Sequence, residues 1–281
     1  MIFICALFML FSQYHCVDDD IDEFFTVYHD TGKESSTESN RKIIKLDESN
    51  FVTIRGKIDE ESASAFVTDI NKIKGNKIYI YLLTPGGSII SGNTIMQHIE
   101  ALTLNGKKIY CIADHAYSMG FVIFQACPTR YVMEHSIIMQ HQPSLSVGGP
   151  IEQARNRFKL VEKIEKKNNE VQAKRLNLTI EEFHKIYVHD AWFYSDEILT
   201  MNAADEMVSV LCNFNVDKTQ TLTMNTFFGS LKLLYSLCPL IHTPKNITFV
   251  MDTTILNKSI DNKYQELVND YDVTKFIKNL I

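Results

Sequence analysis

The sequence predicts an α/β protein in which crossover helices cover a mostly parallel sheet. Apolar runs typical of buried strands alternate along the chain with segments whose apolar residues recur at helical spacing. Such alternation favours parallel strands joined by helices. A hydrophobic fraction of 45% over 281 residues is ample for a large core. Because ligands gather at the carboxyl ends of parallel strands, we expect the functional residues at that edge of the sheet.

The predicted elements start at Phe51. Strand FVTIRG is followed by a helix over residues 60–73, the strand KIYIYLL, a helix after Gly87, the strand KIYCIA and a helix that begins at Ser118. A short strand is expected over residues 130–133, and a second one, SIIMQHQP, carries His141 at its end. The last strand of this series is VSVLC.

A long charged helix is predicted after Gly148-Gly149-Pro150. Its apolar residues recur every three or four positions, the pattern of a surface helix with one apolar face: Ile151, Ala154, Phe158, Val161 and Ile164. Thr179 and Glu182 have the spacing of a capping box for the next helix. Asn202 is expected to end a further helix, since asparagine tolerates the left-handed conformation of a C-cap.

Ser118 is the first candidate for a functional residue. At a strand-to-helix junction, a hydroxyl projects from the sheet beside unpaired backbone N–H groups, and a nucleophile and a developing oxyanion need both. The alternative is that Ser118 only caps the helix. Two adjacent glycines in Thr84-Pro85-Gly86-Gly87-Ser88 suit a second oxyanion donor or an ordinary turn. His141, at a strand end, is a candidate general base or a structural histidine.

Four motifs carry a resemblance to a known family. TPGGS, AYSMGF, MQHQP and HDAWFYSDEILTMNAADEMV occur in that order, and together they resemble the proteolytic subunit of the Clp protease, the ClpP family of serine peptidases. The match covers about residues 50–211. The resemblance implies a crotonase-like fold, a repeated β-β-α superhelix, and it implies that the helix after Pro150 is a protruding handle helix.

The resemblance also implies the roles of five residues. Ser118 corresponds to the nucleophile, His141 to the general base, and Asp190 to the acid that orients the histidine. Gly87 and Met119 correspond to the two backbone N–H donors of the oxyanion hole. Asp196 and Asp205 lie close to Asp190 in the sequence and remain alternatives for the acid.

The implied function is a serine endopeptidase that hydrolyses unfolded proteins or peptides inside an oligomeric chamber. The resemblance implies a heptameric ring, with pairing of two rings into a tetradecamer left open, and an AAA+ ATPase unfoldase as partner. It implies no cofactor and no metal. Tyr79 and Tyr81 match aromatic positions of the family's docking clefts, although aromatic residues that alternate along a strand also suit a core.

Two functions of other classes remain as alternatives, and a related peptidase is a third. A non-catalytic ClpP-like ring subunit would have lost the serine or the histidine, and this chain keeps both. A crotonase-fold acyl-CoA enzyme needs no nucleophile at Ser118. A signal-peptide-peptidase-like enzyme would need a lysine base in place of His141.

Composition limits the partners and the compartment. A net charge of −6 without a basic cluster argues against nucleic acid as the principal partner. The six cysteines show no C-x-x-C spacing, so no zinc site is predicted. Cys111, Cys127 and Cys212 lie in apolar runs and are interpreted as small buried hydrophobic residues, which favours a reducing compartment.

We expect three regions. Residues 1–42 are an apolar N-terminus and an acidic mobile arm, residues 43–212 the ClpP-like serine peptidase domain, and residues 213–281 a C-terminal extension of unknown role. The extension contains an apolar patch at residues 227–240 and an amphipathic end at residues 264–280. The expected location is the cytoplasm or an organelle interior. The alternative is a signal peptide or membrane association through residues 2–12.

Overall fold

The computed structural model describes residues 41–226 and 229–251. Its helices are α1 (Glu60–Ile70), α2 (Ile89–Leu104), α3 (Met119–Ala126), α4 (Ile151–Leu176), α5 (Ile180–Tyr187) and α6 (Glu197–Thr200). Its strands are β1 (Ile43–Leu46), β2 (Phe51–Arg55), β3 (Lys77–Thr84), β4 (Lys108–Tyr117), β5 (Thr129–Gln140), β6 (Ala191–Tyr194), β7 (Glu206–Met207), β8 (Ser209–Cys212), β9 (Thr219–Thr226), β10 (Gly229–Ser236) and β11 (Asn246–Met251).

A six-stranded sheet forms the centre of the molecule. Its strands follow the order β2-β3-β4-β5-β6, and β7 pairs with β5 beside this path. Strands β2 to β5 are parallel to one another, and β6 is antiparallel to β5. Helices α1, α2 and α3 connect successive parallel strands. The predicted α/β class is therefore confirmed.

Strand β3 is buried on both faces. Ile78, Ile80 and Leu82 pack into the main core, to which the helices contribute. Tyr79 and Tyr81 pack into a second cluster on the other face, together with residues near β1 and β8. Both tyrosines are buried in this chain, as expected of aromatic residues that alternate along a core strand.

Strand β5 differs from the prediction. We expected two strands, but one continuous strand runs from Thr129 to Gln140. Its pairing with β4 shifts register between Ala113 and His115, and this irregularity absorbs the polar residues in the middle of β5. The buried Ser136 hydroxyl donates to the Ala113 carbonyl at 2.6 Å and so ties the two strands together at the shift.

The handle-like helix is present as α4. It ends at Asn177, which adopts the left-handed conformation with φ 65°. Only its last turns are buried, while several apolar side chains earlier in the helix are exposed, among them Ile151, Phe158 and Leu160. The predicted capping box of α5 is also present, with Thr179 and Glu182 each accepting from the other's backbone N–H. Asn202 has φ 54°, in agreement with the predicted left-handed C-cap.

The C-terminal part forms its own sheet. Strands β9, β10 and β11 make an antiparallel sheet in which β10 is central. The segment around this sheet packs on the peptidase-like part of the chain: Phe214 stacks on Phe51 with ring centroids 5.7 Å apart. Arg55, which is buried, donates through Nη2 to the Pro239 carbonyl at 3.1 Å.

The cysteines contradict the sequence interpretation. Cys111 and Cys127 are buried as predicted, but disulfides join Cys111 to Cys127 and Cys212 to Cys238, so their interpretation as small hydrophobic residues is incomplete. The fold brings the α-carbons of these pairs to 6.0 Å and 5.9 Å, although 16 and 26 residues separate them in sequence. Because disulfides persist in oxidising surroundings, the argument for a reducing compartment loses its basis.

Some expectations fall outside the described residues. These are the apolar N-terminus and most of the acidic arm, and the amphipathic end at residues 264–280. Across residues 41–226 and 229–251, no helix has the length and apolar character required to cross a bilayer. The division at residues 42 and 212 stays a proposal.

Candidate active site

Ser118 occupies a strained turn between β4 and α3. Its φ of 54° and ψ of −119° are unusual for a residue that carries a side chain. The backbone N–H of Ser118 donates to the Met139 carbonyl at 2.8 Å, which fixes the turn against β5. The side chain makes no capping hydrogen bond to α3. The alternative that Ser118 is only a helix cap is therefore not supported by this geometry.

His141 follows directly after β5 and faces the serine. Its Nε2 lies 2.7 Å from Ser118 Oγ, within the distance for proton transfer between a nucleophile and a general base. The two residues follow the carboxyl ends of adjacent parallel strands, β4 and β5. The functional residues were expected at this edge of the sheet. Sequence reasoning named both residues, and the structure brings them together.

The glycine loop after β3 packs against the Ser118 turn. Gly86 has φ 91°, and a Cβ there would lie 2.6 Å from the Tyr117 carbonyl oxygen and 2.7 Å from Ser118 Cβ. Gly87 has φ 149°, and a Cβ there would lie 2.2 Å from the Ile58 carbonyl oxygen. Both positions require glycine for conformation and for space. The loop can approach the serine closely only because these side chains are absent.

The two expected oxyanion donors lie beside the serine. Gly87 and Met119 line the same cleft as Ser118 and His141. Met119 is the first residue of α3, where backbone N–H groups have no partner within the helix. The N-terminus of α3 also carries a partial positive charge. The arrangement suits stabilisation of a negative oxygen next to Ser118.

Asp190 lies in the turn between α5 and β6. It is exposed, and its φ is 57°. Antiparallel pairing sets Gln140 opposite Ala191, so one further step along both chains places His141 opposite Asp190. Within residues 41–226 and 229–251, no hydrogen bond joins the Asp190 carboxylate to the imidazole. The structure therefore brings Asp190 near His141 in register without an observed contact.

The two alternative acids have other positions. Asp205 Oδ2 accepts from the backbone N–H of Arg130 at 2.7 Å, and Oδ1 pairs with Arg130 Nη2 at 2.5 Å. Burial raises the pKa of Asp205, but the hydrogen bonds from Arg130 and the charge of Arg175 outweigh it and hold the pKa below its usual value. Asp196 is exposed and precedes α6, where its carbonyl accepts from Thr200. Asp205 is thus engaged away from His141.

The cleft beside Ser118 has a volume of about 100 Å³. Besides the predicted residues, four polar residues of α4 line it at positions i, i+3, i+4 and i+7 of one helix face: Glu165, Asn168, Asn169 and Gln172. Sequence reasoning missed these four, although their spacing was a visible signal. In the described ranges, no group of three or more His, Cys, Asp or Glu side chains could hold a metal ion.

The fold brings a serine and a histidine into hydrogen-bond contact at the carboxyl ends of two adjacent parallel strands of an α/β sheet. The model of the Clp protease family matches residues 34–210. The chain therefore belongs to the Clp protease family, and the resemblance seen in the four motifs is confirmed.

Named relatives agree at low identity. The ATP-dependent Clp protease proteolytic subunit 2 of Bifidobacterium longum is 30% identical over 137 residues, which cover 47% of this chain and 64% of the relative. Subunit 3 of Rhodococcus jostii is 25% identical over 165 residues, 56% of this chain and 80% of the relative. The proteolytic subunit of Streptococcus equi subsp. equi is 25% identical over 176 residues, 58% of this chain and 87% of the relative.

Proposed function

We propose that this chain is a serine endopeptidase that hydrolyses peptide bonds of unfolded polypeptides. The observation that carries the proposal is the 2.7 Å separation of Ser118 Oγ and His141 Nε2 in an open cleft. Membership of the Clp protease family supports it. An acyl-CoA enzyme of related fold has no need of a serine held against a histidine.

In the proposed mechanism, His141 Nε2 takes the proton of Ser118 as Oγ attacks the substrate carbonyl carbon. The Gly87 and Met119 N–H groups hold the resulting oxyanion. The protonated histidine gives its proton to the leaving amine when the C–N bond breaks, which leaves an acyl-enzyme. His141 then removes a proton from water as the water oxygen attacks the acyl carbon. The acyl C–Oγ bond breaks, His141 returns the proton to Ser118 Oγ, and the acid product leaves.

Asp190 is the proposed orienting acid. Its place opposite His141, one step beyond the last β5–β6 pair, puts the two residues at neighbouring strand ends. A carboxylate at Nδ1 would fix the tautomer in which Nε2 is free to accept a proton. The ion pair of Asp205 with Arg130 makes Asp205 the weaker candidate.

We also propose that the chain works in a ring. Members of the family form oligomeric rings with ATPase partners, and the relatives are named as subunits of an ATP-dependent protease. The exposed apolar side chains of α4, Ile151, Phe158 and Leu160, suit a contact between copies of the chain. A heptamer, with or without pairing of two rings, and an AAA+ unfoldase that supplies unfolded substrate complete the proposal.

One set of variants tests the proposal. Wild-type protein should react covalently with a fluorophosphonate probe and cleave small unstructured peptides without ATP. Ser118→Ala and His141→Ala should lose both reactions, with turnover reduced by about 10⁴-fold or more, because the hydroxyl or its base is missing. Asp190→Asn should reduce turnover strongly and Asp196→Asn only slightly.

Stability and assembly are measured on the same samples. Each variant should keep its melting temperature within a few degrees and its oligomeric state by native mass spectrometry. Folded wild-type protein that neither labels nor cleaves would favour a non-catalytic ring subunit. A stable monomer at micromolar concentration would contradict the ring, and a larger loss in Asp196→Asn than in Asp190→Asn would reassign the acid.

A further inference from the structure

A chain of hydrogen bonds runs through the polar face of α4 and ends on a carboxylate. Gln140 Nε2 donates to Gln172 Oε1 at 2.7 Å, and Gln172 Nε2 donates to Asn169 Oδ1 at 3.4 Å. Asn169 Nδ2 donates to the Tyr187 hydroxyl at 2.8 Å, and that hydroxyl donates to Glu165 Oε1 at 3.1 Å. Each donor bonds to the next member of the chain, and the last donor bonds to Glu165.

Two members of this chain of donors are buried. The side chains of Gln172 and Gln140 are almost fully buried, at 0% and 5% exposure. Gln140 Oε1 also accepts from the His141 backbone N–H at 3.3 Å, which links the polar face to the general base. Burial and the neighbouring Glu165 raise the pKa of Tyr187 to about 12, so the phenol stays a neutral donor at physiological pH.

One carboxylate oxygen of Glu165 has no partner among the residues that the structure describes. Oε1 accepts from Tyr187, and within the part of the chain that the structure describes no hydrogen bond or ion pair engages Oε2. The side chain is half-buried and lines the cleft that contains Ser118. Apart from His141, it is the one ionisable side chain among the described residues that line this cleft. A half-buried carboxylate at the cleft wall attracts a cation.

The rest of the cleft suits a long side chain with a charged end. Ile89, Met119 and Val122 supply apolar surface close to Ser118. The methylene stem of a lysine or arginine can pack on such surface while its head reaches a polar group beyond. A purely aliphatic side chain would use the apolar part but would leave the Glu165 carboxylate without a partner.

We propose that this cleft binds the substrate side chain on the acyl side of the scissile bond and selects lysine or arginine there through Glu165. The inference rests on the proposed peptidase function and specifies its substrate class. Asn168, which lines the cleft one helical turn from Glu165, supplies an amide that can also accept from the cationic head.

The test uses fluorogenic peptides that differ only at the residue before the scissile bond. Lysine, arginine, norleucine and glutamate are compared, because norleucine matches the lysine stem without its charge. Wild-type kcat/KM should favour lysine and arginine over norleucine by about 10- to 100-fold, the range expected for a hydrogen bond to a charged group. Glu165→Gln should bring this ratio close to one, and Glu165→Lys should shift the preference toward glutamate.

Glu170→Gln is the matched control, since Glu170 is exposed on the same helix and does not line the cleft. It should keep the wild-type ratio. Equal cleavage of lysine and norleucine peptides by wild-type protein, or a ratio that survives in Glu165→Gln, would overturn the inference while the peptidase function stands. If Ser118 is labelled but no peptide is cleaved, the preference is measured by binding instead. The lysine and arginine peptides should then slow labelling at lower concentrations than the norleucine peptide does. Wild-type protein that is neither labelled at Ser118 nor able to cleave any peptide would overturn both the peptidase function and the selection through Glu165.

Discussion

Asp205 pairs with the buried guanidinium of Arg130, a residue of β5. Arg130 is 4% exposed, and its charge is met by Asp205 on one side and by Gln125 Oε1 at 2.5 Å on the other. Gln125 in turn donates to the Ala203 carbonyl at 2.9 Å. A buried charge that loses its partner destabilises a protein strongly, so the role of Asp205 is structural.

Asp205→Asn should lower the free energy of unfolding by about 2 kcal/mol at pH 6, because the amide keeps one hydrogen bond but not the charge. The folded-state pKa of Asp205 is lowered, so its contribution is present above the unfolded pKa and is lost as pH falls through the folded pKa. The difference in free energy of unfolding between wild type and Asp205→Asn should therefore become smaller below about pH 4. Urea unfolding at pH 6 and pH 3 measures it.

Asp196→Asn is the control, since Asp196 is exposed and its side chain does not cap α6. It should change stability by a few tenths of a kcal/mol at most. A difference between wild type and Asp205→Asn that stays constant with pH would show that the carboxylate charge does not stabilise Arg130.

Single residues differ in how well the sequence predicts them. Ser118 and His141 could be predicted because each follows an apolar strand within a recognisable motif. The strained φ of Ser118 could not, since its turn depends on contacts with β5 and with the glycine loop. The disulfide partners could not be predicted either, because Cys111 and Cys127 meet only after β4 and α3 pack together.

At the scale of elements, the loop after β3 is the most sensitive to change. Gly86→Ala should destabilise the fold by about 1–3 kcal/mol, because alanine at φ 91° is strained. The added methyl would also press on the Tyr117 carbonyl and Ser118 Cβ, and we expect turnover to fall at least tenfold as the nucleophile shifts. Melting temperature and peptide cleavage are compared on the same sample.

Gly75→Ala is the matched control, because a Cβ at Gly75 meets nothing within 4 Å. It should leave turnover at the wild-type value. Full activity in Gly86→Ala would mean that the loop can withdraw from Ser118 without consequence, and the close approach would then have no catalytic role.

Elements with a regular apolar period were predicted well, and irregular ones less so. The long helix after Pro150 and its spacing correspond to α4. The continuity of β5 was missed, because its polar residues near Glu134 and His135 interrupt the apolar pattern of a buried strand. Only the register shift against β4 explains how those residues stay in one strand.

For the molecule as a whole, the C-terminal sheet is attached to the rest of the chain by a disulfide and by several non-covalent contacts. Besides the Cys212–Cys238 disulfide, Arg55 binds the Pro239 carbonyl and His242 Nε2 lies 2.8 Å from Asp114 Oδ2. By the loop-entropy model, a disulfide that closes a loop of 26 residues contributes about 3.5 kcal/mol. Sequence reasoning recognised an apolar patch here but had no periodic signal to place it in a sheet.

Cys238→Ser, or reduction of wild type, should therefore loosen this sheet while the peptidase-like part stays folded. Limited proteolysis followed by mass spectrometry should show faster cleavage near residues 213–218, by about tenfold or more. Cleavage at equal rates in oxidised and reduced protein would show that the non-covalent attachments suffice. Cleavage spread over residues 43–212 would show that the disulfide supports the whole fold.

Strand β1 pairs in parallel with β8, so Ile43 faces Ser209 and Leu46 faces Cys212. During synthesis the first strand of the domain therefore leaves the ribosome long before its partner exists. Until Cys212 has emerged, Ile44, Leu46 and the tyrosine face of β3 lack the side chains that β8 and the segment after it add to their cluster. A nascent chain with exposed apolar surface is prone to aggregation. The ribosome must therefore synthesise the chain beyond Cys212 before β1 can pair with β8.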